Sequence, residues 1–248
     1  MEFLVWGIYR LFNYGLLQWI FDQNNITPDR TAAAVLIGVG LILCVLISYL
    51  LGSINFALVV SKLFFHDDVR KHGSGNAGAT NITRTYGKKA GILTFLGDGL
   101  KGVVAIVIAG FIFGGTSTFL MVTAPYLAAF MCIVGHIFPI FAHFHGGKGF
   151  ATTAMCIIVL NPFIAAILLV MFMVLVLGTK YVSLGSVVTA LFYPVLLSSF
   201  DQLQLQPFGI SVLFALLIAA LVTWAHRGNL KRIREGTERR LGESKKKD

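Results

Sequence analysis

The sequence predicts an all-α polytopic membrane protein of about seven transmembrane helices, with its N-terminus outside and its C-terminus in the cytoplasm. Three observations lead there. Hydrophobic residues fill 56% of 248 positions, and mean hydropathy is +0.81. Charged residues make up 12%, against about 25% in a soluble domain. Residues 31–61, 102–147, 149–179, 181–200 and 202–226 contain no Asp, Glu, Lys or Arg, and a spanning helix needs about 20 mostly apolar residues. A soluble domain with one large buried core would need far more polar surface than this chain has.

Turn signals cut the apolar intervals into elements. Residues 1–30 form an N-terminal extension. Its apolar, aromatic stretch 3–21 is interrupted by Arg10, Asn13 and Gln18. Arg10 in mid-span would cost about 2.5–3.5 kcal/mol, which favours an interfacial helix over an eighth crossing. The opening Met1-Glu2-Phe3 lacks the basic segment of a cleavable signal peptide. Residues 31–226 form the transmembrane domain, beginning with a long helix over 33–62 that Gly52-Ser53 marks for a break. Helices over 90–113 and 118–141 follow, separated by Gly114-Gly115-Thr116-Ser117. Residues 151–160 form a short apolar piece closed by Asn161-Pro162, too short to cross alone. Residues 163–177, 182–200 and 208–225 complete the set.

Lys and Arg concentrate in cytoplasmic loops. With the first long helix running inward, Arg70, Lys71, Arg84, Lys88, Lys89, Lys148 and Lys180 share one side with the basic tail, residues 227–248. Asp22, Asp29, Arg30 and Asp201 fall on the other. The tail holds nine Lys or Arg against four acids and reads as solvated beside anionic headgroups, each nearby cation contributing about 1 kcal/mol. The net charge of +9 is then a membrane signature, and nucleic acid is not expected as a partner. Cys44, Cys132 and Cys156 sit inside apolar runs and read as small core residues.

Three segments carry unusual chemistry, and this topology puts them all on the cytoplasmic side. The first is Gly73-Ser74-Gly75-Asn76-Ala77-Gly78-Ala79-Thr80-Asn81, the second Gly146-Gly147-Lys148-Gly149, the third His226-Arg227-Gly228-Asn229. Glycines let backbone N–H groups crowd an anion, Ser and Asn add donors, and Arg and Lys add charge. They therefore read as parts of one phosphate-binding site. Helix initiation at Asn76 or Thr80 is the plain alternative for the first. Arg84 lies three residues past Asn81, on the same face of a helix. The second is not a nucleotide P-loop, because Ala142 stands where the upstream glycine belongs and Gly149 follows Lys148. A lysine that merely snorkels would leave its flanking glycines unexplained.

His136, His143 and His145 precede Lys148 with no carboxylate in that loop and read as neutral interfacial histidines, without a metal. The His-x-x-x-x-Asp box of many acyl-CoA-dependent acyltransferases is absent, since Lys231 occupies its place after His226. Asp98 and Lys101, in the first turns of a span, are spaced to form an ion pair. A structural pair is the better reading, although a charge inside a span is a functional candidate by default.

The pattern resembles a known family. Gly-Ser-Gly-Asn-x-Gly-Ala-Thr-Asn with Arg84 is followed by Gly135-His136, Phe138-Pro139, Gly146-Gly147-Lys148-Gly149 and Ala151-Thr152. Tyr181-Val182-Ser183-Leu184-x-Ser186 comes next, then His226-Arg227-x-Asn229 with Arg232, Gly236 and Glu238. In this order the motifs look like those of the bacterial acyl-phosphate:glycerol-3-phosphate acyltransferases, the PlsY type. The resemblance covers about residues 41–241, Gly185 replaces an expected alanine, and residues 1–30 lie outside it. It implies transfer of a fatty acyl group from acyl phosphate to the 1-hydroxyl of glycerol 3-phosphate, in the bacterial inner membrane, as the first step of phospholipid synthesis. It implies no cofactor or metal, no acyl-CoA or acyl carrier protein as direct donor, membrane lipids as surroundings and an upstream enzyme that forms the acyl phosphate. Catalytic positions carry over to Ser74, Arg84, Lys148, Asn229 and His226, with Ser186 in substrate binding and Glu238 structural. Gly75, Asn76, Asn81, Gly146, Gly147 and Gly149 are the expected phosphate-binding positions.

The residues fit that chemistry on their own terms, because two phosphate-bearing substrates demand several cations and backbone donors close together. Either the donor's own phosphate or His226 takes the hydroxyl proton. Ser74 as an acylated nucleophile has only His72 as a neighbouring base. A carrier for phosphorylated solutes would need polar groups near the bilayer midplane, and a lipid phosphatase a metal cluster or a nucleophile–acid pair. The sequence displays neither.

Overall fold

Apolar stretches punctuated by glycine, proline and asparagine fold into eleven α-helices and two 3-10 turns among the described residues. The structure is a computed structural model that describes residues 15–23, 30–203 and 209–243, and no strand occurs among them. In chain order the helices are α1 (Leu16–Gln23), α2 (Arg30–Ser53), α3 (Phe56–Phe65), α4 (Ala79–Tyr86), α5 (Lys88–Phe113) and α6 (Thr118–Ile137). Then come α7 (Phe150–Leu160), α8 (Pro162–Thr179), α9 (Val182–Leu203), α10 (Ile210–Ala225) and α11 (Arg227–Arg234).

Among the described residues, Thr31–Phe65, Lys88–Phe113, Thr118–Ala142, Pro162–Thr179 and Val182–Phe200 are long and apolar enough to cross a membrane. A sixth span results if α10 and α11, bent by 54° at His226, count as one. Each of the seven expected apolar segments is helical over most of its described residues, and α7, at 11 residues, is the short one. At 1.5 Å per residue it covers roughly 16 Å of a hydrocarbon layer about 30 Å thick. Large apolar side chains face outward, Phe163 at 67% exposure and Val174 at 66%, as a lipid-facing surface requires.

The chain divides into two compact units. The first comprises Met1–Gly147 with Ala151–Cys156, the second Lys148–Phe150 with Ile157–Asp248. In the first, Leu17, Cys44, Ala105, Ala109, Phe113, Ala124, Ala128 and Cys132 form a core between α1, α2, α5 and α6. The expected interfacial helix over 3–21 is seen only from Leu16 onward, its earlier part lying outside the described residues. There Leu17 is buried and Gly15 N–H donates to Gly114 O at 2.8 Å. A second core of Ala57, Leu58, Val60, Val69, Ala77, Ile82, Ala90 and Ala142 underlies the first glycine segment.

Without a hydrophobic drive between helices in lipid, close backbone approach supplies the packing. Helices α2 and α6 achieve it at Gly52 and Gly135. A side chain at Gly52 would overlap the Cys132 carbonyl, and one at Gly135 the Tyr49 carbonyl. In the second unit α9 packs between α8 and α10, with Tyr193 Oη donating to Asn161 Oδ1 at 2.8 Å and Phe150 stacked on Phe172 at 5.0 Å.

Gly52→Leu is expected to force α2 and α6 apart and lower stability by at least about 1–3 kcal/mol, the usual penalty of overpacking. Thermal unfolding in detergent checks this, and an unchanged Tm would show that the two backbones do not meet at Gly52.

Candidate active site

In the first unit the site is built on a broken helix. The break at Ile54-Asn55 separates α2 from α3 just after the expected Gly52-Ser53. It frees carbonyls at the end of α2 and amides at the start of α3, each costing several kcal/mol if left unpaired in a membrane. Lys101 Nζ donates to Gly52 O at 2.8 Å and Ile54 O at 2.7 Å. Asp98 Oδ1 accepts from Phe56 N–H at 3.2 Å, and the two charges pair at 3.0 Å. The cation thus sits at a helix C-terminus and the anion at a helix N-terminus, the signs the backbone dipoles favour. Asn55 completes the cap by accepting from Leu58 N–H at 3.0 Å.

The ion pair is the one expected from spacing, but it lies in the middle of α5 and not in its first turns. The reading of His136 as an interfacial histidine without a carboxylate is corrected. It is 3% exposed, with Nδ1 2.9 Å from Lys101 Nζ and 3.3 Å from Asp98 Oδ1. His143 and His145 do lie exposed.

The first glycine segment is a loop closed by Asn81 from the first turn of α4. Asn81 Oδ1 accepts from Ser74 N–H at 3.1 Å, while Nδ2 donates toward Val69 O, His72 O and Asn76 O at 3.0–3.1 Å. At 2% exposure this side chain is wholly engaged in shaping the loop. Gly73, at φ +60°, has no room for a side chain against Asn81. Ser74 and Gly75 are exposed, Asn76 half-buried. Helix α4 starts at Gly78 with no side-chain cap, so neither Asn76 nor Thr80 serves as one. Arg84 is exposed on the same helix.

Beside this loop lies a cluster of residues that no motif joins. His72 Nε2 is 2.6 Å from Asp67 Oδ2, Tyr86 Oη donates to the same oxygen at 2.8 Å, and Tyr86 stacks on Phe65 at 4.2 Å. The Tyr86 hydroxyl, helped by the Asp68 amide, holds the Asp67 carboxyl below its ordinary range. The neighbouring Asp68 is held at about 2, chiefly by the Arg70 guanidinium.

Gly146 and Gly147 meet the first loop within the same unit. Gly147 N–H donates to His136 O at 3.2 Å. A side chain at Gly147 would overlap the His136 ring and the Ala77 carbonyl, and one at Gly146 the His136 carbonyl. With its N–H engaged by His136 O, Gly147 shapes the junction of the two segments.

In the second unit His226 forms the bend between α10 and α11, 3% exposed. Its Nδ1 is 2.8 Å from Val222 O. A carbonyl only accepts, so Nδ1 carries the proton and Nε2 is the acceptor nitrogen of the neutral ring. Next to this histidine Glu238 gathers three donors: Asn229 Nδ2 at 2.6 Å, Ser183 Oγ at 2.9 Å and Arg232 Nε at 2.7 Å. Burial raises the Glu238 pKa, but these hydrogen bonds outweigh it and hold the carboxyl below its ordinary value. Ser186 is buried and donates one turn back to Val182 O at 2.9 Å. The segment expected to be a solvated tail is folded back through residue 241, where Leu241 N–H donates to Lys180 O at 2.7 Å and Arg240 lies over Tyr181. Residues 244–248 lie outside the described residues.

The family described as glycerol-3-phosphate acyltransferase matches residues 42–236. A glycerol-3-phosphate acyltransferase of Clostridioides difficile is 43% identical over 206 residues, covering 82% of this chain and 97% of the relative. One from Syntrophomonas wolfei is 41% identical, covering 81% and 95%. The crystal structure of PlsY, an integral membrane glycerol 3-phosphate acyltransferase, in its glycerol 3-phosphate form superposes with a TM-score of 0.71 at 34% identity. That match covers 82% of this chain and 96% of the other. The lysophosphatidic acid form of PlsY gives 0.69 at 32% identity, covering 82% and 95%.

Glu238 also gives the site a pH signature. Its folded pKa lies below the unfolded one, so its contribution to stability is complete above the unfolded value, about 4.3. It is lost as pH falls from there through the lower folded value. Glu238→Gln is therefore expected to show a flatter decline of Tm below about pH 4.3 than the parent protein. Parallel declines in thermal scans across that range would show that Glu238 is not held ionised by its three donors.

Proposed function

Because this chain belongs to the glycerol-3-phosphate acyltransferase family, we propose that it uses acyl phosphate as donor, at the cytoplasmic face of a bacterial inner membrane, in the first step of phospholipid synthesis. The 1-hydroxyl oxygen of glycerol 3-phosphate attacks the acyl carbonyl carbon. The new ester C–O bond forms as the bond from that carbon to the phosphate oxygen breaks, and the hydroxyl proton leaves on the departing phosphate. The products are 1-acyl-glycerol 3-phosphate and inorganic phosphate.

The observation that carries this reading is the abutment of two glycine segments at Ala77 and Gly147, with Arg84 and Lys148 close to them in sequence. Both substrates present phosphate, and preorganised amides and cations stabilise such charge without reorganising during reaction. Ser74, Gly75, Asn76, Gly146 and Gly149 are assigned the phosphate contacts, Asn81 and Gly147 the loop shape. Arg84 and Lys148 stabilise charge developing on the leaving phosphate. Asn229 and Ser186 position substrate beside His226. The two forms of the solved relative, glycerol 3-phosphate and lysophosphatidic acid, differ by one acyl ester, which agrees with the acceptor and product.

The donor's phosphate acts as the base. His226 is the second candidate, favoured by the acceptor nitrogen that its contact with Val222 leaves at Nε2. A His226→Asn enzyme with an unaltered pH–rate profile excludes it, and loss of the alkaline plateau would support it.

Acyl phosphate and labelled glycerol 3-phosphate, supplied to sealed inside-out vesicles, test the reading. Expected is one acylated product per phosphate released, with no product in right-side-out vesicles. Phosphate release without acylated product would instead show a hydrolase. Lys148→Ala and Arg84→Ala should each lower turnover by about 10²–10³-fold, the usual loss when a charge-stabilising donor is removed. Near-normal turnover in either would remove that residue from the mechanism.

A further inference from the structure

Asp98, Lys101 and His136 are 1%, 5% and 3% exposed and have no part in the transfer described above. Charge this deep in a spanning helix carries a large desolvation cost. Capping the broken helix accounts for Asp98 and Lys101 but not for His136. Lys101 has three N–H donors, and Gly52 O, Ile54 O and Asp98 already engage them. The histidine adds contacts of another kind. Its carbonyl accepts the Gly147 N–H, and its Nε2 edge fills the space where a Gly147 side chain would stand. The Ala77 carbonyl borders the same space. Ala77 O in turn accepts from Asn55 Nδ2 at 3.2 Å, and Asn55 caps α3 at the break.

These contacts close a ring. From the break, one arm runs through Asn55 to Ala77 in the first glycine loop. The other runs through Lys101 and Asp98 to His136 and Gly147 in the second. The arms meet where Gly147 packs against Ala77. We propose that Asp98, Lys101 and His136 are positioning residues for acyl transfer, which set the spacing of the two glycine loops and thereby of the two phosphate groups. The inference rests on the acyl-transfer reading and adds to it a buried charge network that acts through Gly147.

His136→Ala, Gly147→Ala and the double variant test this with acyl phosphate and glycerol 3-phosphate, rates being referred to folded enzyme quantified by size exclusion. Each single variant is expected to lose about 100-fold in kcat/KM, as a misplacement of about 1 Å can cost, with KM rising for both substrates. The double variant should lose no more than the worse single one. Additive losses, or a His136→Ala enzyme within twofold of the parent in kcat/KM, would overturn the proposal. Should His136→Ala fold poorly, His136→Asn keeps a polar atom for Lys101 and Asp98 while withdrawing the Nε2 edge. It is expected to fold normally with raised KM for both substrates, and unchanged KM values would likewise overturn the proposal. A parent enzyme inactive with acyl phosphate yet active with another acyl donor would refute the donor assignment alone. The same variants are then compared with the working donor.

Discussion

A helix interrupted inside a membrane must find partners for the backbone groups it frees, and here a buried ion pair supplies three of them, with Asn55 capping one more. Lys101 takes the carbonyls of Gly52 and Ile54, and Asp98 takes the amide of Phe56. An unpaired charge at that depth would be far costlier than the pair. The break and the ion pair therefore stabilise each other: the helix ends satisfy the charges, and the charges satisfy the helix ends. Much of the first unit follows from this. Asn55, released from helical geometry, can cap α3 and still reach Ala77. Ser53 accepts from Ile140 N–H at 3.3 Å, and Tyr49 donates to Phe138 O at 2.9 Å, which fixes the chain leaving α6 toward the second glycine segment.

The same design recurs at smaller scale in both units. One side chain with several hydrogen-bonding sites is saturated by its surroundings and holds a segment that carries chemistry. Asn81 does this for the Ser74 loop, with four backbone contacts. Glu238 does it for the His226 segment, holding Asn229, Ser183 and Arg232. Such frames favour electrostatic catalysis, because dipoles fixed in advance need no reorganisation as charge develops. They also explain why residues with similar side chains have different fates. Asn81 is engaged inward, whereas Asn76, five positions earlier, remains half-exposed.

Local chemistry made much of this legible from the sequence. Apolar intervals without charge mark the helices, the Gly52-Ser53 signal foretells the break, and the spacing of Asp98 and Lys101 gives their pairing. The three polar segments stand out because each sets glycines beside asparagine or a cation at the edge of a long apolar run. What stayed hidden depends on contacts between distant parts of the chain. The carboxylate that partners His136 lies 38 positions earlier, on another helix, so inspection of its own loop could not find it. Asp67, His72 and Tyr86 carry no motif, and only the turn after α3 brings them together. The inward engagement of Asn81 and Gly147 required knowing which carbonyls surround them. The fold-back of residues 235–243 rests on contacts that composition does not announce: Glu238 to Ser183, Arg240 over Tyr181 and the Leu241 amide to Lys180 O.

Amide hydrogen exchange in lipid nanodiscs, comparing the parent protein with Asp98→Asn, tests most directly whether the charged helix break governs the glycine loops. The account predicts faster exchange at residues 56–58, 73–81 and 146–149, with residues 226–238 unchanged. Unaltered exchange in both loops despite faster exchange at 56–58 would contradict it, because the break would then be a local repair with no hold on the site.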